Sequence, residues 1–257
     1  MSLPFQPEEI IEIAERAGSI VLSIYQRDFE IKEKEDHSPL TEADMASHKF
    51  ITESLKRLHP NIPLLSEESS DAEMADRMSW KSYWLIDPLD GTKEFVKRNG
   101  EFTVNIAYVH KHRPVFGVVY APVLGVTYWG GADIASFKKS KEGQQKIHVR
   151  KLPTRISEIK IVGSRSHQSE EFSVFIKNYP DAELVPMGSS LKLCLVAEGV
   201  ADLYPRLGLT SEWDTAAAQA VVEGASGKVV SFLDGKSLGY NMNPNSLLNP
   251  FFIVSGD

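Results

Sequence analysis

The first sixty residues place apolar side chains at the spacing of two amphipathic helices. In the first, a proline and two acids at residues 7–9 form a typical opening turn, and apolar residues recur at helical spacing up to Ile24. The second is predicted to begin at Thr41-Glu42-Ala43-Asp44, which resembles a capping box, and its apolar positions continue to Leu58. The polar residues 30–39 between them predict a loop or a hairpin.

The middle of the chain changes to β-branched and aromatic segments separated by turn residues. These segments predict strands of a mostly antiparallel sheet at residues 83–86, 102–109, 115–120 and 126–129. From residue 159 onward strand and helix patterns alternate, which predicts an α/β lobe. The charged segment at residues 138–145 is the expected boundary. We therefore expect an N-terminal α+β lobe at residues 1–140 and a C-terminal α/β lobe at residues 141–257.

Composition excludes several classes of protein. With 257 residues, of which 42% are hydrophobic, the chain is long enough to bury the core of one large unit or of two apposed lobes. No apolar run approaches the roughly 18 residues that cross a bilayer, and residues 1–8 lack a secretory pattern. The single Cys194 excludes an intrachain disulfide and a cysteine zinc cluster. These features predict a cytoplasmic enzyme.

The net charge of the chain limits the class of molecule that it is expected to bind. A formal charge of −7 argues against a broad surface for a nucleic acid polymer, which requires clustered Lys and Arg. It does not exclude a small anionic substrate, because bound divalent cations reverse the local sign of an acidic pocket.

The most informative segment is an apolar run that ends in Asp87-Pro88-Leu89-Asp90-Gly91-Thr92. Two carboxylates near a strand end offer the oxygen ligands that Mg²⁺ prefers, and the Thr92 hydroxyl can contact an attacking water. Gly91 permits a backbone geometry or a close approach that a larger residue would resist. The competing interpretation is an Asx-type turn that caps a helix at residues 93–95.

Four further acidic residues have structural explanations when taken singly. Glu67 and Glu68 resemble a solvated acidic loop, Asp214 stands where an acid caps an alanine-rich helix, and Asp44 is a plausible capping acid. Together with residues 87–92 they predict a metal-dependent phosphomonoesterase.

Four segments resemble the inositol monophosphatase superfamily of Mg²⁺-dependent, lithium-sensitive phosphatases, and they occur in family order. They are Ser66-Glu67-Glu68-Ser69, residues 87–92, Gly117-Val118-Val119-Tyr120-Ala121-Pro122 and Trp213-Asp214-Thr215-Ala216-Ala217. The resemblance implies an α/β fold, a five-layer αβαβα sandwich of the inositol monophosphatase/fructose-bisphosphatase type, with the site between the lobes. It also implies two to three Mg²⁺ ions and inhibition by Li⁺.

The second half is most similar to 3'(2'),5'-bisphosphate nucleotidases of the bacterial CysQ type, through residues 163–167, 187–194, 197–199, 201–206 and 248–250. Such enzymes hydrolyse adenosine 3',5'-bisphosphate (PAP) to AMP and phosphate in sulfur metabolism. The implied partner is therefore a small bisphosphate nucleotide.

The resemblance also implies roles for individual residues. Glu67, Asp87 and the Leu89 carbonyl hold one Mg²⁺, while Asp87, Asp90 and Asp214 hold a second, and a third, weaker ion lies near Glu67. Asp44 and Thr92 align the attacking water and remove its proton. The implied substrate contacts are Glu67, Leu89, Asp90, Gly91, Thr92, Ser164, His167, Gly188, Ser189, Lys192 and Asp214.

The sequence also predicts a second site for an anionic group, near residues 188–192. Gly188-Ser189-Ser190 precedes a predicted helix with Lys192 in its first turn, so free backbone N–H groups and one cation would form an anion cradle. The alternative is a serine cap with a surface lysine. Ser164 and His167 are expected to line a nucleoside pocket, although a loop histidine is commonly just solvated.

Three rival functions stay open at this point. They are an inositol-monophosphatase-like sugar phosphatase on the same fold, a non-catalytic module that binds phosphorylated ligands, and a structural protein with fortuitous acidic turns. The sequence predicts no transmembrane segment, and it leaves open a monomer or a homodimer. Peripheral attachment to the cytoplasmic face of the inner membrane would leave no signature in it.

Overall fold

The computed structural model of the protein describes residues 3–33, 39–164 and 169–256. Within these ranges the α-helices are α1 (Pro7–Tyr25), α2 (Glu42–Leu58), α3 (Asp71–Met74), α4 (Thr92–Val96), α5 (Glu170–Ile176), α6 (Leu191–Ala197) and α7 (Ala216–Gly224). The strands are β1 (Ile31–Glu33), β2 (Pro39–Thr41), β3 (Leu64–Ser66), β4 (Ser82–Asp90), β5 (Thr103–His110), β6 (Arg113–Ala121), β7 (Val126–Gly131), β8 (Ile134–Ser140), β9 (Gly143–Lys146), β10 (Lys160–Ser164), β11 (Glu183–Met187), β12 (Leu203–Arg206), β13 (Lys228–Ser231) and β14 (Phe252–Ser255).

Two large sheets organise the molecule. The first has seven strands in the order β3-β4-β5-β6-β7-β8-β9, and its pairs are antiparallel except for β3 and β4. The second has five strands in the order β11-β10-β12-β14-β13, of which β11, β10 and β12 run parallel. A short hairpin of β1 and β2 precedes α2, as the polar segment predicts.

The layers form the expected αβαβα sandwich. Helices α1 and α2 cover one face of the seven-stranded sheet, and α6 and α7 fill the space between the two sheets. The rings of α5 cover the far face of the five-stranded sheet. Strand β4 is buried on both faces: Trp84 and Ile86 pack beneath α1 and α2, whereas Tyr83 and Leu85 face α6 and α7. This double burial explains its nearly continuous apolar sequence.

The expected boundary segment has a different structure from the one predicted. Residues 138–145 lie largely within β8 and β9, which pair as a hairpin at the edge of the seven-stranded sheet. Lys138 is therefore a strand residue whose ammonium contacts Glu198, and the segment is not a linker. Its polar composition follows from its edge position, because an edge strand has a solvated side where charged residues are tolerated. The first sheet consequently extends to Lys146.

The end of β4 positions the acidic segment. Regular pairing with β5 is interrupted between Asp87 and Asp90, and Gly91 follows with a φ of +91° before α4 begins. A Cβ at Gly91 would lie 3.2 Å from the Glu101 carbonyl oxygen and 3.3 Å from Ser189 Cβ. Both reasons given for a glycine here, the backbone angle and the close approach, are therefore confirmed.

Candidate active site

Three aspartates from distant parts of the chain meet at one point. Asp87 and Asp90 come from the end of β4, and Asp214 ends a 3₁₀ turn (Glu212–Asp214) that leads into α7. One carboxylate oxygen of each lies within 4.8 Å of those of the other two. This spacing is compatible with shared coordination of divalent cations by hard oxygen ligands.

Each of these aspartates has one oxygen fixed by a backbone N–H group. Leu89 N donates to Asp87 Oδ1 at 3.0 Å, Ser190 N to Asp90 Oδ2 at 2.5 Å, and Ser211 N to Asp214 Oδ2 at 2.9 Å. No hydrogen bond from the described residues ends on the second oxygen of any of the three. The carboxylates are thus oriented by the fold, and each keeps one oxygen for a ligand.

The electrostatics of this group favour a bound cation. Burial, followed by the charges of Glu67, Asp90 and Asp214, raises the pKa of Asp87 well above its usual range. Burial, followed by Asp90 and Glu67, raises the pKa of Asp214 to about 8. Clustering buried carboxylates is unfavourable unless protons or metal ions offset their repulsion. The donor set therefore fits divalent metal ions.

Glu67 and Leu89 lie on the wall of the same cavity. This acidic cavity has a volume of about 330 Å³ and is lined by Pro39, Glu67, Asp87, Leu89, Asp90, Gly91, Thr92, Lys93, Glu94, Leu209 and Asp214. Glu67 is outside the tight group of three aspartates but is near enough to raise the pKa of two of them. It follows β3, which pairs in parallel with β4, so β3 and β4 point their carboxyl ends to the same edge.

Asp44 and Thr92 form a hydrogen-bonded pair beside this cavity. Thr92 Oγ1 donates to Asp44 Oδ1 at 3.2 Å, and the Leu89 carbonyl oxygen is also 3.2 Å away. The other oxygen of Asp44 accepts from the backbone N and the hydroxyl of Thr41 at 2.8 and 2.7 Å, which completes the predicted capping box of α2. The capping and catalytic interpretations of Asp44 are therefore compatible, because they use different oxygens.

A second, smaller cavity adjoins the acidic one. This cationic cavity has a volume of about 130 Å³; its polar lining includes Ser164, Ser189, Lys192 and Arg206, and it shares Asp90, Gly91, Glu94 and Asp214 with the acidic cavity. Lys192 is only 8% exposed, so the alternative of a surface lysine is wrong. Burial lowers its pKa to about 8, while the Asp90 charge acts in the opposite direction.

The expected cradle of free N–H groups is not what the structure contains. Gly188 N donates to Glu101 Oε2 at 2.8 Å, and Ser190 N donates to Asp90. The Lys192 ammonium donates to the Ser189 carbonyl at 2.5 Å. Two of the three backbone donors are thus engaged by carboxylates, so the side chains of Lys192 and Arg206 supply the positive charge of this cavity.

A wider cavity opens from the cationic one. It has a volume of about 630 Å³ and shares Ser164, Tyr204 and Arg206 with its neighbour, while Phe172, Pro205, Leu207 and Leu209 contribute apolar walls. Ser164 ends β10 at the edge of this space, as expected for a pocket residue. His167, the other predicted pocket residue, lies outside the described residues.

Sequence reasoning did not single out Arg206 or Glu94, which line the cationic cavity, and it named Ser190 only for its backbone N–H group. Arg206 had a usable signal, since it ends a strand that is parallel to the strand of Ser164, and ligands commonly bind beyond the carboxyl ends of such strands. The contacts of the Ser190 hydroxyl had no such signal, because they are to residues 24 to 100 positions away.

Comparison with known proteins identifies the family of this chain. The model of the inositol monophosphatase family matches residues 7–253. The chain belongs to the inositol monophosphatase family. In the described residues no helix is both long and apolar enough to span a membrane.

Several individual proteins are similar to the chain over most of its length. The chain is 45% identical to the 3'(2'),5'-bisphosphate nucleotidase CysQ of Salmonella typhimurium over 250 residues, which are 96% of this chain and 98% of the relative. The CysQ of Escherichia coli K12 is 43% identical with the same coverage. A crystal structure of CysQ from Bacteroides thetaiotaomicron superposes with a TM-score of 0.86 at 39% identity, covering 99% of both chains. Inositol monophosphatase from Anabaena (Nostoc) shares the fold, with a TM-score of 0.74 at 23% identity over 96% of this chain and 89% of that one.

Proposed function

We propose that this protein is a Mg²⁺-dependent 3'(2'),5'-bisphosphate nucleotidase that hydrolyses PAP to AMP and phosphate in sulfur metabolism. The observation that carries the proposal is the common wall of the acidic and cationic cavities, formed by Asp90, Gly91, Glu94 and Asp214. A bisphosphate nucleotide has two anionic groups, and these adjoining cavities offer one place for each. The CysQ relatives are named for the same substrate class.

Asp87, Asp90 and Asp214, with Glu67 and the Leu89 carbonyl, would hold two to three Mg²⁺ ions. An all-oxygen set of carboxylates and one carbonyl is the ligand chemistry that Mg²⁺ prefers. Bound Mg²⁺ would neutralise charge on the transferring phosphoryl group and on the oxygen that leaves it. We also propose that Li⁺ inhibits the enzyme by competing for these sites.

Thr92 and Asp44 would orient and deprotonate the attacking water. The Thr92 hydroxyl already donates to Asp44, so its oxygen lone pairs can accept a proton from water as its own proton moves to Asp44 Oδ1. The water oxygen then bonds to phosphorus while the bond to the ribose oxygen breaks on the opposite side, and the ribose oxygen takes up a proton from solvent to give the hydroxyl of AMP. The attack is in line and forms no phosphoenzyme.

The rest of the nucleotide would occupy the other two cavities. Lys192 and Arg206 would bind the phosphate that stays, and the apolar walls near Phe172 and Leu207 would contact the nucleoside. Ser164, at the junction of these cavities, would be within reach of the sugar. This division of roles explains why a bisphosphate would be preferred to a simple sugar phosphate, which has no second anion to place.

The test is phosphate release by purified protein with Mg²⁺, comparing PAP with inositol 1-phosphate, with and without Li⁺. We expect Li⁺-sensitive release with preference for the nucleotide and no release by Asp90→Asn. Preference for inositol 1-phosphate would keep the metal site but overturn the substrate. Absence of Mg²⁺-dependent release from both would overturn the proposed function. The cytoplasmic location and the monomeric or homodimeric state stay predictions of the sequence.

A further inference from the structure

Ser190 occupies a position where three segments of the active site meet. It lies between β11 and α6 and is 2% exposed. Its hydroxyl is 2.6 Å from Asp90 Oδ2 and 2.6 Å from the Asp214 carbonyl oxygen. Asn105 Nδ2, on β5, donates to the same hydroxyl oxygen at 2.8 Å. One hydroxyl therefore contacts the segments that carry Asp90 and Asp214 and a neighbouring strand.

We infer that Ser190 is a positioning residue for metal binding, which fixes Asp90 in the orientation that ligates a divalent cation. The inference rests on the proposed metal-dependent function. A serine hydroxyl has one proton and two lone pairs. Asn105 donates to the oxygen, so the proton of Ser190 is available to the Asp90 carboxylate or to the Asp214 carbonyl. The charged carboxylate is the stronger acceptor, so the proton is donated to Asp90, and the Asp214 carbonyl oxygen lies 2.6 Å from the same hydroxyl oxygen.

The contacts from Ser190 determine how the Asp90 carboxylate is oriented. Thr103, Asn105 and Ser190 all donate to Oδ2, and the two donors of Ser190 are the closest, at 2.5 and 2.6 Å. The contacts from Thr103 and Asn105 are each 3.4 Å long. Oδ1 of Asp90 accepts no hydrogen bond from the described residues, which leaves it available to a cation. Without the hydroxyl, repulsion by these carboxylates would favour rotation of Asp90 away from them.

The two metal-ligating segments belong to different parts of the fold. Asp90 ends β4 of the seven-stranded sheet, and Asp214 precedes α7, which lies between the sheets. A cation bound by both requires their separation to be fixed. Groups that orient metal ligands through hydrogen bonds typically change metal affinity or activity by roughly 10- to 100-fold when they are removed. The Ser190 hydroxyl is such a group.

The test measures metal binding without substrate, because Ser190 also lines the cationic cavity and its loss could affect the nucleotide directly. Mn²⁺ affinity is determined by titration calorimetry for the wild type, Ser190→Ala and Ser190→Thr, and urea unfolding in EDTA reports folding. Ser136→Ala is the matched control, since Ser136 is fully buried and donates to the Val221 carbonyl at 2.6 Å, away from the site.

We expect Ser190→Ala to weaken Mn²⁺ binding by about 10-fold or more, Ser190→Thr to recover part of the loss, and Ser136→Ala to bind like the wild type. An affinity of Ser190→Ala within about twofold of the wild type would overturn the inference, whatever its effect on urea stability, since a merely structural role predicts that result. If the wild type itself fails to bind Mn²⁺, both the inference and the proposed function fail. Unchanged binding in Ser190→Ala alone overturns only the inference.

Discussion

Thr92 Oγ1 lies 3.2 Å from Asp44 Oδ1, although 48 residues separate the two in the chain. Asp44 belongs to the first turn of α2 and Thr92 to the first turn of α4, so each helix start contributes one half of the pair. The pair borders the cavity that holds the aspartates. Its chemistry can be tested apart from metal binding, because the Thr92 side chain is not one of the proposed ligands.

Replacement of Thr92 by Val should reduce kcat by about 100-fold or more, since general-base assistance typically contributes 10²- to 10⁴-fold. Valine keeps the shape of the side chain but cannot relay a proton to Asp44. Mn²⁺ affinity should stay within about twofold of the wild type. Thr92→Ser, which keeps the hydroxyl, should retain most of the activity. A kcat of Thr92→Val close to that of the wild type would contradict the assigned role.

Replacement of Asp87 by Asn should abolish turnover while the protein stays folded. The same change should raise thermal stability in EDTA at pH 8, because it removes a carboxyl group whose ionisation is disfavoured by burial and by neighbouring carboxylates, which raise its pKa. A gain of about 1 kcal/mol would raise Tm by roughly 2–4 °C in a chain of this size. Calorimetry with and without Mg²⁺ measures both effects. A variant that is less stable than the wild type in EDTA would contradict this electrostatic account.

The metal-free protein should lose stability as pH rises from about 4 to about 8. The pKa of Asp214 is about 8 when folded, against roughly 3.9 for an unfolded aspartate. Between these two pKa values the folded state holds a proton that the unfolded state has released. The stabilising contribution of Asp214 is therefore complete below the unfolded pKa and is lost as pH rises through the folded pKa. Mg²⁺ should therefore raise Tm more at pH 8 than at pH 5.

Two results would check the origin of that dependence. Asp214→Asn in EDTA should show a flatter dependence of Tm on pH than the wild type, because the group that titrates has been removed. An Mg²⁺-induced rise in Tm that is equal at pH 5 and pH 8 would show that repulsion among the carboxylates does not govern the stability of the metal-free protein.

Replacement of Lys192 by Ala should reduce kcat/KM for PAP by about 30-fold or more, since losing one partner of a buried charge pair costs roughly 2 kcal/mol or more. Hydrolysis of inositol 1-phosphate should change much less, because that substrate has no second phosphate. Lys236→Ala is the control, since that lysine is a cation whose side chain is 83% exposed. Equal losses for both substrates would contradict a site for the retained phosphate at Lys192.

The same lysine predicts a pH effect on the wild-type enzyme. Burial lowers the pKa of Lys192 to about 8, so the free enzyme loses this positive charge as pH rises through that value. KM for PAP should therefore rise above pH 8. KM for inositol 1-phosphate, measured in parallel, should not follow the same curve. A KM for PAP that is constant from pH 7 to pH 9 would contradict the prediction.

Local patterns predicted much of this structure because their causes are local. The opening turn of α1, the capping box at Thr41 and the turn at Gly91 each depend on residues within a few positions. The β-branched and aromatic segments of β4 to β7 also identified the antiparallel sheet correctly.

The errors and omissions have a common origin in contacts between distant segments. Polar composition at residues 138–145 could not distinguish a linker from an edge hairpin. The N–H groups of Gly188 and Ser190 were expected to be free, but Glu101 and Asp90 accept them from other segments. The bridge that Ser190 makes likewise depends on how the two sheets meet, which the pattern of one segment cannot predict.

The most direct test of the account compares PAP with adenosine 3'-phosphate as substrates in the presence of Mg²⁺. The two share the nucleoside and the scissile phosphate and differ only in the phosphate assigned to Lys192 and Arg206. We predict that kcat/KM for PAP is at least about 10-fold higher, with AMP and phosphate as products, which corresponds to about 1.4 kcal/mol of binding to the second phosphate. Equal kcat/KM values for the two nucleotides would contradict the two-site account.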